Sequence, residues 1–171
     1  MPDFAASSTV TTRPGCSPAV TSGSTHETIL VVDDEPAIRK LATTILRAHG
    51  YKTLEAADGL EALTVFRNSA VLIDLVILDL TMPNLSGQET FRQLLKIDAD
   101  AAVVFASGYT AESLGHQAEL VLGFIKKPFR SDELLHTVRS ALEKSPRRQR
   151  QSTGPATLAK ATAGYETASL V

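Results

Sequence analysis

Apolar positions in this chain follow two alternating rhythms. Short, nearly unbroken apolar runs occupy Thr28–Val32, Leu75–Leu78, Ala101–Ala106 and the brief Gly123–Lys126, while Tyr51–Ala56, interrupted by Lys52, Thr53 and Glu55, reads as a further strand. An unbroken run of that length predicts a strand buried on both faces. Between the runs the spacing changes to three and four. Ile38, Leu41, Ala42, Ile45 and Leu46 mark one face of a helix that starts at Pro36 and stops at Gly50. Leu60, Leu63 and Phe66 predict a short helix from Gly59 to about Arg67, and Phe91, Leu94 and Leu95 another over 87–96. Residues 111–120 give a weaker helix, interrupted by Gly115. Ser131 is a plausible N-cap for the last one, whose face is Leu134, Leu135, Val138, Ala141 and Leu142.

Five strands alternating with five helices imply right-handed crossovers and a parallel sheet with helices on both faces. The expected fold class is α/β, a three-layer flavodoxin-like (βα)5 sandwich. Residues 27–144 form the domain. Residues 1–26, rich in Ser, Thr, Ala, Pro and Gly and without periodicity, read as a disordered arm, and 145–171 as a disordered tail.

In an open sheet of this kind the strands deliver their carboxyl ends to one edge, where such sheets bind ligands. The first strand delivers Asp33 and Asp34 there, the third Asp79, the fourth Ser107 and the fifth Lys127. Each has an ordinary reading alone: helix capping for the acids, a turn for Asp79 and Ser107, a solvated surface for Lys127. Together they describe chemistry. Crowded carboxylates repel unless a positive charge sits among them. Mg²⁺, a hard cation that keeps waters and uses one or two carboxylates, answers that need. A carboxylate can attack phosphorus, and a metal with an ammonium group neutralises the phosphoryl oxygens. Lys127 supplies that ammonium, and Ser107 a hydrogen bond.

Charge and composition narrow the picture further. The chain has 171 residues, 43% hydrophobic and 21% charged, as expected of a soluble domain. The arm is neutral and the tail is +3 in a chain of −2 overall, so residues 27–144 carry −5. An acidic domain argues against direct nucleic-acid binding. The basic Arg147-Arg148-Gln149-Arg150 run reads as a solvated linker. A single cysteine, Cys16, excludes an internal disulfide and a cysteine metal cage. His26, His49, His116 and His136 show no ligand spacing. No apolar run is long enough for a membrane span, and no signal peptide is evident, so a cytoplasmic location is expected.

Four motifs then carry a family resemblance: ILVVDDEP (29–36), LVILDLTMPNLSG (75–87), VVFASGY (103–109) and GFIKKPF (123–129). In this order and spacing the chain from about Thr28 to Glu143 resembles the receiver domain of two-component response regulators. The segments around ASGY and GFIKKPF also look like receivers of hybrid histidine kinases. The resemblance implies Asp79 as phospho-acceptor. It implies Mg²⁺ held by Asp34, Asp79 and the backbone carbonyl of Thr81, with Asp33 acting through water. Ser107 becomes the switch hydroxyl, Lys127 the phosphoryl-binding lysine, and Phe124 the switch aromatic, where the family often has Tyr. Lys126 is expected to point away, and the Lys127-Pro128 bond to be cis. The implied partners are a sensor histidine kinase or phosphotransfer protein and an unknown downstream protein, with neither nucleic acid nor membrane. The chain is expected to catalyse only its own phosphorylation and dephosphorylation, and to lack an output domain, since about 28 residues follow Glu143. Two other functions compete. A Mg²⁺-dependent aspartyl-phosphate phosphohydrolase would usually need an acid where Thr81 stands. A pseudo-receiver that binds partners without phosphorylation would usually have lost one of the pocket residues.

Overall fold

The computed structural model describes residues 27–108 and 120–147. The arm, most of the tail, Tyr109 and nearly all of the helix expected at 111–120 lie outside the described residues. Along the chain run β1 (Thr28–Val32), α1 (Pro36–Ala48), β2 (Lys52–Ala56), α2 (Gly59–Asn68), β3 (Leu75–Asp79), α3 (Gly87–Ile97), β4 (Val103–Ser107), β5 (Gly123–Lys126) and α4 (Ser131–Lys144). The strands form one parallel sheet in the order β2-β1-β3-β4-β5. This is the flavodoxin-like α/β fold that the alternation predicts.

Period-two alternation divides the buried runs between two cores. Ile29, Val31, Leu75, Ile77, Val104, Ala106 and Ile125 face one way, against Leu46 of α1 and Leu134, Val138 and Leu142 of α4. Leu30, Val32, Val76, Leu78, Val103 and Phe105 face the other, against Ala62 and Leu63 of α2 and Phe91 and Leu94 of α3. Phe91 meets Phe105 edge-on at 5.5 Å between ring centroids. Burying one such ring contributes about 1.5–3 kcal/mol.

Of the four described helices, three begin on residues suited to a helix start. Pro36 opens α1, and Gly50, at φ 89°, closes the turn after it. Asp58 caps α2 by accepting from the Glu61 amide at 2.8 Å, and Ser86 caps α3 by accepting from the Glu89 amide at 3.3 Å. The fourth differs from expectation. Ser131 is already helical, and the cap residue is Arg130, whose amide donates to the Glu133 carboxylate at 3.1 Å. Two expected core positions are also exposed, Leu41 at 47% and Leu60 at 54%. Both stand at the margin of an apolar stripe wider than the strip of helix that touches the sheet. Beyond α4, Ser145 is buried, and Arg147 donates to the Ile73 carbonyl and pairs with Asp98.

Candidate functional site

The order of strands changes direction between β1 and β3, and in open α/β sheets a crevice forms outside the strand ends at such a point. Parallel register sets Val32 beside Leu78, so the residues that follow emerge together. Asp33 and Asp79 are buried there, while Asp34 is exposed. Carboxylate oxygens of the three lie within 4.8 Å of one another.

Lys127 holds the acids together. Its Nζ donates to Asp79 Oδ2 at 2.7 Å and lies 2.7 Å from Asp33 Oδ2. The remaining oxygens are engaged by backbone: Asp33 Oδ1 accepts from the Glu35 amide at 3.0 Å, and Asp79 Oδ1 from the Thr81 amide at 3.2 Å. The lysine is aimed by its own backbone, whose N–H donates to the Ser107 carbonyl at 2.9 Å. Buried Ser107 thereby ties the end of β4 to the residue after β5. Lys126 is exposed, away from the pocket, and the Lys127-Pro128 bond is cis, both as expected. Phe124 is half-buried, its ring stacked on Phe105 with centroids 6.0 Å apart.

Approach of α3 to β3 requires a residue without a side chain. A Cβ on Gly87 would stand 2.1 Å from the Asp79 carbonyl oxygen and 2.8 Å from Leu80 Cα. The Gly87 amide instead donates to the Leu80 carbonyl at 3.1 Å, closing the loop that carries Thr81. Asn84 completes that loop at φ 66°, a conformation Asn tolerates.

Burial and charge act against each other at the site. Burial raises the Asp33 carboxyl above its ordinary 3.8, although the hydrogen bond and charge of Lys127 lower it. Burial alone would lower the Lys127 ammonium, but hydrogen bonds and charge from Asp33 and Asp79 outweigh it and hold it above 10.5. The stability supplied by the charged lysine is therefore complete below 10.5 and is lost as the pH rises through the raised folded value. Urea midpoints of wild type and Lys127→Met are expected to differ most near neutrality and to converge above pH 10.5. A gap that stays constant across that range would contradict the pairing.

The donor set fits a hard divalent cation. It is all oxygen, it combines an exposed carboxylate with two buried ones, and its Asp79 leads directly into the loop that carries Thr81. Every site residue named from the sequence thus lies at this edge or on the strand beside it. Sequence reasoning passed over Arg39, which donates from Nη1 to the Asp33 carbonyl, and Glu55 behind it. The i, i+6 placement of an arginine behind an acid that opens a helix was the available signal.

Comparison with known proteins agrees with this geometry. A family model described as the response regulator receiver domain matches residues 29–139. Sporulation initiation phosphotransferase F of Bacillus subtilis (strain 168) is 34% identical over 119 residues, which are 68% of this chain and 94% of that protein. The sensor kinase CckA of Brucella abortus (strain 2308) is 37% identical over 119 residues, 68% of this chain but 13% of the kinase. The chain likewise spans about half, 52%, of the DNA-binding response regulator MtrA of Mycolicibacterium smegmatis. Among solved structures, the response regulator TrrA of Thermotoga maritima in complex with Mg(2+)-BeF is 36% identical, with a TM-score of 0.61 over 67% of this chain and 98% of TrrA. Among the described residues no helix is long and apolar enough to cross a membrane. The family model covers more than half of the sequence and takes in the strand ends that bring the acids, Ser107 and Lys127 to one edge, so the chain belongs to the response regulator receiver domain family of two-component systems.

Proposed function

We propose that Asp79 accepts a phosphoryl group from the phosphohistidine of a sensor histidine kinase or phosphotransfer protein, and that this changes the domain's contacts with a downstream protein. The observation that carries this reading is the position of Lys127 Nζ, 2.7 Å from both Asp33 and Asp79. An ammonium held there neutralises an acidic pocket now and can neutralise phosphoryl oxygens later. An Asp79 carboxylate oxygen forms the new P–O bond, the P–N bond of the donor breaks, and its electron pair returns to the imidazole. Mg²⁺, with Asp34, Asp79 and the Thr81 carbonyl as ligands and Asp33 acting through water, would supply further positive charge to the phosphoryl oxygens. The names of two relatives, a sensor kinase and a phosphotransferase, support a kinase or phosphotransfer protein as the donor.

The output step rests on side chains at neighbouring strand ends. Ser107 donates its hydroxyl to the phosphoryl group, and the Phe124 ring moves along Phe105 as the end of β4 shifts. Phe124 has no hydroxyl, so its two positions differ in packing and not in a hydrogen bond at the ring tip. Thr81 offers no acid for rapid hydrolysis, so the chain acts only on its own phosphoryl group.

Beryllium fluoride with Mg²⁺ tests the reading without a kinase. Fluorine resonances of a bound complex are expected with wild type, together with amide shifts at Thr81, Ser107 and Phe124. Lys127→Ala should lose the Ser107 and Phe124 shifts even where some complex forms. Absence of any bound fluorine signal in wild type would overturn the proposal.

A further inference from the structure

The loop Asp33-Asp34-Glu35 bears two of the three acids of the cluster, and Lys127 grips it only through the Asp33 carboxylate. The Asp33 amide donates to the Ala56 carbonyl at 3.2 Å, and Asp33 Oδ1 turns back to the Glu35 amide. What fixes the Asp33 carbonyl is Arg39, one turn into α1, whose Nη1 donates to it. The same guanidinium rests its Nε 3.8 Å from Glu55 Oε2 on β2. Glu55 is itself held: its Oε1 accepts from Arg47 Nη2 at 3.1 Å, and Arg47 Nε donates to Thr53 Oγ1 at 2.6 Å. The Arg39 side chain is 17% exposed, more enclosed than Glu55 at 34% or Arg47 at 49%. Thr53 and Glu55 are on β2, and Arg39 and Arg47 on α1. The four side chains thus form a brace across the seam between helix and strand, ending on the carbonyl between the two acids.

We infer that Arg39, footed on Glu55, is a positioning residue that holds the Asp33–Asp34 loop in its cation-binding shape. The inference rests on the Mg²⁺ reading proposed above. Groups that orient ligands without touching a metal typically contribute about tenfold or more to its affinity. The brace works by geometry and against electrostatics. A guanidinium beside an acidic cluster repels a divalent cation, so charge alone makes removal of Arg39 strengthen Mg²⁺ binding. A positioning role makes the same change weaken it.

That opposition of sign defines the test on the full chain. Mg²⁺ affinity is measured by calorimetry for wild type, Arg39→Ala, Arg39→Lys and Glu55→Ala, with hydrogen exchange at the Glu35 amide followed without metal. Arg39→Ala is expected to bind Mg²⁺ about tenfold more weakly, and to expose the Glu35 amide to faster exchange. Arg39→Lys should fall short of wild type in both, because the compact ammonium lacks the separate Nη1 and Nε with which the guanidinium reaches the carbonyl on one side and Glu55 on the other. Glu55→Ala should reproduce part of the loss with Arg39 still present. Unchanged or tighter Mg²⁺ binding by Arg39→Ala, with unchanged Glu35 exchange, would overturn the brace. If wild type itself binds no Mg²⁺, the metal reading fails instead, and faster Glu35 exchange in Arg39→Ala would still report the brace.

Discussion

Asp79→Asn is expected to reduce phosphoryl uptake from acetyl phosphate to background in intact-mass spectra. The change keeps the shape of the side chain and one oxygen that can accept from the Thr81 amide, now 3.2 Å from Asp79 Oδ1. It removes the anionic nucleophile, and a neutral amide does not attack phosphorus at a comparable rate. Folding should survive, because Lys127 keeps its partner Asp33. Loss of one of two carboxylates that repel each other offsets part of the lost ion pair. Labelling that persists in a folded Asp79→Asn protein would place the acceptor elsewhere.

Gly87→Ala carries the largest structural effect. The added Cβ would lie 2.1 Å from the Asp79 carbonyl oxygen and 2.9 Å from its carbon, so backbone and not a pliable side chain stands in the way. Relief requires α3 to draw back from the end of β3. That helix is committed on its other side, where buried Thr90 packs against Gly59 so closely that a Cβ there would meet its Oγ1 at 2.0 Å. A cost of about 3 kcal/mol, the upper part of the usual overpacking range, is expected in urea unfolding. Gly108→Ala is the natural control: among the described residues a Cβ at that position meets nothing within 4 Å. It should change stability by no more than about 0.5 kcal/mol. Equal stability of Gly87→Ala and wild type would show that the turn after β3 has room to move.

The acids were legible in the sequence because each closes an unbroken apolar run, and parallel strands bring such closings to one edge. Val32 beside Leu78 makes Asp33 and Asp79 neighbours as a matter of register. Lys127 was legible for the same reason, but its grip on both acids was not, since a strand end fixes a Cα and leaves the ammonium free to choose. Leu41 and Leu60 misled because spacing records which side of a helix is apolar, not how far the sheet extends beneath it. Ser131 misled because the Glu133 carboxylate reached past it to the Arg130 amide. Arg39 left only its spacing from Asp33 as a signal, as its bond is to a carbonyl and its foot is on β2.

The most direct measurement locates the phosphoryl group in the wild-type chain. The protein is incubated with acetyl phosphate, with and without Mg²⁺, then reduced with borohydride, which converts an aspartyl phosphate to homoserine. The peptides are then sequenced by mass spectrometry. The account predicts one Mg²⁺-dependent phosphoryl adduct and reduction at position 79 alone. Reduction at another residue, or no adduct with Mg²⁺ present, would contradict it.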